Sequence, residues 1–237
     1  MKRKYKVIKL RLWMLPLTFL LLSTIVASPV LNAEKADANA VKTVYFTFDD
    51  GPSEVTDEIL MILDEHDIKA TFFVIGPSGD KTEERIYREV SEGHSVGLHT
   101  MSHDYKKIYS DAESFMDDLE YEREWIYSVT GVECRIFRFP GGSNNSTVDK
   151  WLMDEIIEET REEGLVWYDW NADGRDSLGK LLSPEEIAEN VLSSEAVGSD
   201  NVIVLLHDSS RMKTTPDALR ILIREFGKMG YSFGKLG

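Results

Sequence analysis

Short apolar runs and amphipathic stretches alternate along most of the chain. The apolar runs are rich in β-branched and aromatic residues and predict strands at 43–48, 70–75, 95–98, 135–139, 165–169, 202–206 and 231–233. The stretches between them predict helices at 54–66, 81–92, 111–130, 146–163, 184–194 and 215–229. Strands that alternate with helices are typical of a parallel α/β architecture, either an open sheet or a barrel.

The first 40 residues follow a different pattern. Residues 1–11 carry six Lys and Arg and no acid, residues 12–31 are nearly all apolar, and small residues follow. This order is typical of a secretory signal peptide. An apolar run of this length can also span a bilayer, so an uncleaved membrane anchor is the alternative. We therefore assign 1–33 to a signal peptide or anchor, 34–40 to a short linker, and 41–237 to one exported domain that is expected to be a monomer.

The net charge and the single cysteine argue against several classes of protein. The chain has 27 basic and 42 acidic residues, and six of the basic ones lie in the first 11 positions, which leaves a net charge of −21 beyond residue 33. Such a surface repels nucleic acid and anionic membranes and suits a neutral or cationic substrate. Cys134 is the single cysteine, so an internal disulfide and a disulfide-stapled fold are excluded.

Residues able to do chemistry collect directly after the predicted strands. In chain order they are Asp49 and Asp50, His99 and His103, Arg138, Asp169 and Trp170, and His207. Functional sites of α/β folds form from the loops at the carboxyl ends of the strands. We therefore expect these side chains to meet at one rim of the sheet.

The spacing of two histidines indicates a metal site. His99 and His103 lie four residues apart in the sequence HTMSH, which lets both imidazoles reach one ion. A carboxylate from Asp49 or Asp50 would complete three protein ligands with an open position, the pattern of catalytic zinc sites. Zn, Co, Mn and Fe all fit such a set. The alternative is two surface histidines and an aspartate pair that caps a helix.

Five stretches together carry a resemblance to a known family. They are TFDDGPS (47–53), HTMSH (99–103), RFPGG (138–142), YDW (168–170) and LLHDS (205–209). Their order resembles polysaccharide deacetylases of the NodB-homology type, carbohydrate esterase family 4, over residues 41–233. The resemblance implies a distorted (β/α) barrel of seven or eight strands. It also implies metal-dependent hydrolysis of acetyl groups on a carbohydrate polymer, with Zn²⁺ as the expected ion and Co²⁺ or Mn²⁺ as alternatives.

The resemblance implies a catalytic role for particular residues. It makes Asp49 the general base and His207 the general acid, and it makes Asp50, His99 and His103 the metal ligands. Arg138 would orient the base and would itself be held by Asp169, with Asp173 or Asp176 as alternative partners. Asp208 could raise the pKa of His207. Independently of the resemblance, Arg138 could also be an ordinary ion-pair residue.

Three further residues would shape the substrate pocket in such an enzyme. Gly141 would donate its backbone N–H to the oxyanion, Trp170 would line the pocket, and Leu206 would form a wall for the acetyl methyl group. Many relatives have Tyr where this chain has Gly141, so a more open pocket is expected. Trp170 could instead be a core residue, and Trp151 and Trp167 are expected to pack in the core.

The sequence as a whole predicts an exported deacetylase of N-acetylglucosamine or N-acetylmuramic acid in peptidoglycan. A chitooligosaccharide deacetylase and an O-acetyl xylan esterase are alternatives within the same chemistry. A non-catalytic wall-binding protein is a third hypothesis. The presence of every expected acid, base and metal ligand disfavours it, since a protein that has lost its chemistry is expected to lose some of these residues.

Overall fold

Eight parallel strands form the centre of the structure, a computed structural model that describes residues 41–77 and 79–237. The strands are β1 (Thr43–Asp49), β2 (Thr71–Val74), β3 (Ser95–Leu98), β4 (Ile136–Phe137), β5 (Val166–Trp167), β6 (Ala172–Asp173), β7 (Asn201–His207) and β8 (Ser232–Gly234). The helices described are α1 (Glu54–Glu65), α2 (Thr82–Ser91), α3 (Tyr105–Ile108), α4 (Ala112–Thr130), α5 (Lys150–Glu162), α6 (Pro184–Leu192) and α7 (Thr215–Lys228).

The strand order is β5-β4-β3-β2-β1-β7-β6, with β8 paired to the first half of β1. Every pair is parallel, and most successive strands are joined through a helix. This is the expected distorted (β/α) barrel, with β5 and β6 as the two ends of the order. The sequence pattern missed β6 and α3, because elements of two and four residues are too short to show a period.

The predicted leader and linker lie outside the described residues. Within the part of the chain that the structure covers, no helix has both the length and the hydropathy that crossing a membrane requires.

The central strand β1 divides its residues between two environments. Val44, Phe46 and Phe48 are fully buried in the main apolar core. Successive strand residues point to opposite faces, so Thr47 and Asp49 lie on the inner face of the sheet. The register places Asp49 opposite His207 of β7 and Phe73 of β2. An acid and a histidine therefore meet at the carboxyl ends of neighbouring strands.

The two tryptophans expected in the core differ in the structure. Trp167 packs edge to face on Phe139, with ring centres 6.2 Å apart, as expected. The expectation for Trp151 was wrong, because its side chain is 63% exposed. Helix α5 begins at Lys150 and buries Leu152, Met153 and Ile156, which leaves Trp151 on the solvent side of the first turn.

Candidate active site

A cavity of about 380 Å³ opens at the carboxyl ends of the strands around β1. Seven of the ten residues singled out in the sequence line it: Asp49, Asp50, His99, His103, Gly141, Trp170 and His207. Arg138 is fully buried and bonded to Asp49 behind the cavity wall. Asp169 and Leu206 are not among the lining residues.

Asp49 is held by a buried arginine. The Nη1 of Arg138 donates hydrogen bonds to Asp49 Oδ1 at 2.9 Å and to Thr47 Oγ1 at 2.7 Å. The Nε of Arg138 donates to the carbonyl oxygen of Tyr168 at 2.8 Å, and the guanidinium lies 4.3 Å from the ring centre of Phe73. Burial raises the pKa of Asp49, and the charge and hydrogen bond of Arg138 oppose that rise. A raised pKa is expected of a carboxylate that works as a general base.

The second carboxylate of the pair faces two imidazoles. Asp50 Oδ1 lies 3.3 Å from His103 Nε2 and 3.6 Å from His99 Nε2. One ligand atom from each of the three residues lies within 4.8 Å of the others. Asp50 Oδ1 is buried and has no hydrogen-bond donor among the described residues. A carboxylate oxygen and two histidine nitrogens that converge without a donor fit a divalent cation, with the donor set of a catalytic zinc site.

His99 is prepared for a ligand role by its other nitrogen. Its Nδ1 lies 2.8 Å from the carbonyl oxygen of Arg138. Burial lowers the pKa of His99 to about 3, so the ring is neutral at physiological pH. A neutral ring that donates Nδ1–H to this carbonyl keeps the lone pair on Nε2, the atom that faces Asp50.

Two carboxylates of α4 hold the histidine loop from behind. Both oxygens of Glu122 lie 3.1 Å from the backbone nitrogen of His99, and Glu122 is fully buried. Asp118 Oδ1 accepts the backbone N–H of Ser102 at 2.9 Å. Between them Thr100 has a φ of 73°, an uncommon conformation for a β-branched residue. We infer that α4 stabilises the loop conformation in which the two histidines converge.

Replacing Glu122 by glutamine should weaken metal binding about tenfold, the lower end of the effect of residues that orient ligands. The amide keeps the size of the side chain but offers only one acceptor oxygen to the loop. Zinc affinity measured by competition with a chelator tests this. Glu124→Gln is the matched control, since Glu124 is exposed on the same helix. Equal affinities for the Glu122 variant and the wild type would contradict this role.

His207 is paired with Asp176, whereas the sequence suggested Asp208 as an acid that could raise the pKa of His207. His207 Nδ1 lies 2.7 Å from Asp176 Oδ1, and the backbone N–H of His207 donates to Asp176 Oδ2 at 2.9 Å. Thr215 Oγ1 donates to the same Oδ2 at 2.8 Å. Burial lowers the pKa of His207, but Asp176, with smaller contributions from Asp49 and Asp50, outweighs burial and raises it to about 9. The ring is therefore protonated at neutral pH and can donate from Nε2.

Asp208 instead shapes the turn after β1. Its Oδ2 accepts a hydrogen bond from Thr56 Oγ1, and its backbone oxygen accepts one from Ser53 Oγ. A Cβ added to Gly51 would lie 2.1 Å from this carboxylate, so the turn requires glycine there. Burial raises the pKa of Asp208 to about 7. Ser53 caps α1 through a capping box with Thr56.

Replacing Asp176 by asparagine should move the alkaline limb of the pH–rate profile to lower pH by at least about one unit. If His207 is the general acid, a pKa of about 9 keeps it protonated up to that pH, and the rate should fall as the pH rises through it. Without the charge of Asp176, burial favours the neutral ring and the fall comes earlier. The acid limb, which deprotonation of Asp49 would set if Asp49 is the general base, should move much less. A profile with both limbs unchanged would contradict the pairing.

Asp169 does not form the expected side-chain pair with Arg138. Its carboxylate accepts hydrogen bonds from the backbone N–H of Ser143, at 3.0 Å, and from the Ser143 hydroxyl. Only its backbone oxygen approaches Arg138, at 3.5 Å from Nη2. Asp169 follows β5 and its side chain turns toward the loop after β4. It therefore stabilises the loop that carries Gly141, and the carboxylate that pairs with Arg138 is that of Asp49.

The wall expected from Leu206 is formed by Leu205. Leu206 is fully buried in the main core, where its Cδ2 lies 2.6 Å from the position of a Cβ on Gly174. Leu205 lines the cavity. Alternation along β7 explains the correction, because Leu205 and His207 share the inner face and Leu206 lies between them on the outer face.

Tyr105, which the sequence analysis did not single out, lines the cavity beside Gly141. Its hydroxyl oxygen lies 3.0 Å from the position of a Cβ on Gly141, and its ring packs edge to face on His103, with centres 5.5 Å apart. The sequence predicted a more open pocket at Gly141, but Tyr105 of α3 places an aromatic ring there. Gly141 has a φ of 81°, and among the described residues none accepts a hydrogen bond from its N–H.

Comparison with known proteins agrees with this geometry. A family model for polysaccharide deacetylases matches residues 36–154. The chain is 31% identical to a peptidoglycan-N-acetylglucosamine deacetylase of Bacillus cereus, over 81% of this chain and 68% of that protein. This chain belongs to the polysaccharide deacetylase family. It is also 35% identical to a chitooligosaccharide deacetylase of Sinorhizobium fredii, over 70% of this chain and 72% of that protein.

A solved structure extends the family match over most of the fold. The catalytic domain of a peptidoglycan N-acetylglucosamine deacetylase from Eubacterium rectale superposes with a TM-score of 0.78 and 33% identity, over 89% of this chain and 94% of that one. The expected family and the barrel fold are thereby confirmed.

Proposed function

We propose that this protein is a metal-dependent hydrolase that removes N-acetyl groups from peptidoglycan outside the cytoplasm. One observation carries the proposal. A carboxylate held by a buried arginine and a protonated imidazole held by a buried carboxylate line the same cavity as the three convergent ligand atoms. These are the parts that amide hydrolysis needs, namely a base, an acid and an electrophile for the carbonyl.

The metal would be held by Asp50, His99 and His103. A divalent ion bound there would polarise the acetyl carbonyl and lower the pKa of a bound water molecule. Zn²⁺ is proposed, with Co²⁺ and Mn²⁺ as ions that the same ligands accept. No cysteine is among these ligands, which is why the donor set does not select one ion.

Asp49 acts as the general base in this proposal. Its Oδ1 is taken by Arg138, and its Oδ2 lies 3.7 Å from His99 Nε2, on the side of the metal ligands. That oxygen removes a proton from the attacking water as the water adds to the acetyl carbon. The guanidinium keeps the carboxylate in one orientation, so little reorganisation is needed when the proton moves.

The charge that develops on the acetyl oxygen is stabilised by the backbone N–H of Gly141. A preorganised donor of this kind contributes about 3 kcal/mol to the transition state. His207 then donates its proton to the departing nitrogen, which leaves as an amine. Leu205 and Trp170 line the cavity around the acetyl group and exclude water from it.

Peptidoglycan is the proposed substrate because the relatives named above include peptidoglycan deacetylases, matched over most of the chain. The predicted leader agrees with action outside the cytoplasm. The chitooligosaccharide deacetylase of Sinorhizobium fredii supports chitooligosaccharides as an alternative substrate. A bifunctional xylanase/deacetylase of Pseudobutyrivibrio xylanivorans is 30% identical over 81% of this chain but only 29% of that protein, and it supports acetylated xylan as the other alternative.

Acetate release by the purified full chain tests the proposal. The substrates are acetylated peptidoglycan, N-acetylglucosamine oligomers and O-acetyl xylan, each supplied with zinc. We expect release from peptidoglycan at the highest kcat/KM. Higher kcat/KM on either of the other polymers would replace the substrate assignment. No release from any of the three by folded, metal-loaded protein would favour a non-catalytic binding protein.

A further inference from the structure

A second cavity of about 340 Å³ lies beside the catalytic one. The two cavities share Trp170 and Asp173 in their walls, so a polymer held in one can extend into the other. The second cavity is bounded by polar side chains from the segment after β5 and from α6. The second cavity is therefore placed to hold a sugar or a substituent next to the one bound in the catalytic cavity.

Most of the polar groups in this second cavity are already bonded to the backbone. Asn171 Nδ2 donates to the Asn201 oxygen at 3.1 Å, and Asn171 Oδ1 accepts from the Ile203 N–H at 2.8 Å. Asn190 Nδ2 donates to the Gly174 oxygen at 3.0 Å. These amides hold β6, β7 and α6 together, which leaves them little capacity for a ligand.

Arg175 is the exception. Among the residues that line either cavity it is the only Lys or Arg. Eight of the ten arginines that the structure describes pair with a carboxylate within 4.0 Å, and Arg175 and Arg211 do not. The side chain of Arg175 is exposed, and among the described residues no acceptor bonds to its guanidinium.

The backbone of Arg175 is fixed although its side chain is unpaired. Its φ is 54°, and its N–H donates to Asp173 Oδ1 at 2.7 Å. The carboxylate that could have paired with the guanidinium instead accepts this backbone bond. The positive charge is therefore presented in the wall of the second cavity, whose other charged lining residue, Asp173, is acidic.

An anionic group in the second cavity is repelled by Asp173 unless a cation is placed beside it. The chain as a whole carries a net charge of −15, so the global charge cannot attract a carboxylate. A guanidinium binds a carboxylate through two parallel hydrogen bonds, which makes arginine well suited to the task. The affinity for a neutral glycan, which has no carboxylate, should not depend on the charge of this guanidinium.

We propose that Arg175 forms a subsite for a carboxylate on the substrate, next to the sugar that loses its acetyl group. The proposal rests on the proposed function and names its substrate class, a glycan that carries carboxylates, as the lactyl ether and peptides of peptidoglycan do. Arg175 binds and selects the substrate, and the hydrolytic step itself does not involve it.

Binding and turnover of two glycans test this subsite. One is a neutral N-acetylglucosamine oligomer, and the other is a muramyl fragment of equal length with free carboxylates. Arg175→Gln should raise the Kd and KM for the muramyl fragment about fivefold, the upper end for a solvent-exposed ion pair. It should leave kcat and every constant for the neutral oligomer unchanged. High salt should remove the difference, and Arg175→Lys should restore part of it.

Arg211→Gln is the matched control, because Arg211 is also exposed and unpaired but lines neither cavity. An equal change for both glycans, or no change for the muramyl fragment, would overturn the subsite. Calorimetry measures Kd whether or not acetate is released. Binding of the fragment that depends on Arg175 without any turnover would therefore count against the proposed function and still support the subsite.

Discussion

Asparagine in place of Asp49 should lower the rate of acetate release by about 10²–10⁴-fold, the usual contribution of a general base. The amide has no basic oxygen to accept a proton from water. Metal binding should not change, because the proposed ligand atoms belong to Asp50 and the two histidines. Acetate release and zinc stoichiometry, measured on the same preparation, test both parts.

Asp50→Asn is the informative companion variant. It changes the neighbouring residue by the same substitution, and we expect loss of both activity and zinc. Loss of zinc in the Asp49 variant, or its retention in the Asp50 variant at full affinity, would mean that the two carboxylates have exchanged roles. Near-normal turnover by the Asp49 variant would show that Asp49 is not the general base.

The Asp49 variant should also unfold at a lower temperature than the wild type. Arg138 is fully buried, and its carboxylate partner is 3% exposed. Breaking a buried ion pair by changing one partner costs about 3–5 kcal/mol, and asparagine reduces that cost because it can still accept the hydrogen bond. Activity is therefore compared at a temperature where circular dichroism shows the variant folded.

Alanine in place of His207 should lower the rate on N-acetyl substrates by about 10²–10⁴-fold. The nitrogen leaves as an amine only after it is protonated. Asp176 raises the pKa of His207 to about 9 against the lowering effect of burial, so this imidazole can supply the proton at neutral pH. An activated ester such as 4-nitrophenyl acetate releases its alcohol as an anion. The loss on that ester should therefore be much smaller.

Comparing the loss of activity on the amide with the loss on the ester shows whether His207 acts as a general acid or only maintains the structure of the cavity. A His207 variant that lost activity equally on amide and ester would point to a damaged cavity. His66→Ala is the control for histidine removal, since His66 is exposed at the end of α1, remote from the cavity. It should match the wild type on both substrates.

The predicted strands indicated correctly where the residues that line or support the cavity come together. Asp49, His99, Arg138 and His207 each follow or end an apolar run, and parallel strands bring their carboxyl ends to one rim. The histidine spacing predicted the pair that converges on Asp50. These inferences depend on local sequence and on a general property of the fold, which is why the structure brings the residues together as expected.

The carboxylate that pairs with His207 and the leucine that lines the cavity were harder to predict. Asp176 follows the two-residue strand β6, which gives no periodic signal. It was considered only as an alternative partner of Arg138, and the acid expected to act on His207 was its chain neighbour Asp208. Leu205 could have been found by counting two residues back from His207 along β7. Trp151 was placed in the core by residue type alone, although the face that α5 buries decides its exposure.

Other features have no local signal at all. Glu122 belongs to α4, yet its carboxylate holds the backbone of His99, which precedes it by 23 residues. In the sequence it is one acid among 42 acidic residues. Tyr105 reaches Gly141 only because α3 turns the chain back over the cavity. Contacts of this kind follow from packing between elements, which the sequence pattern does not specify.

The metal requirement is the central claim, and one measurement tests it most directly. Acetate release from peptidoglycan is followed for the purified full chain before chelation, after chelation and after one equivalent of zinc is returned. The proposed mechanism predicts that release disappears and then returns with one zinc bound per chain. Full release by protein shown to be free of metal would contradict it.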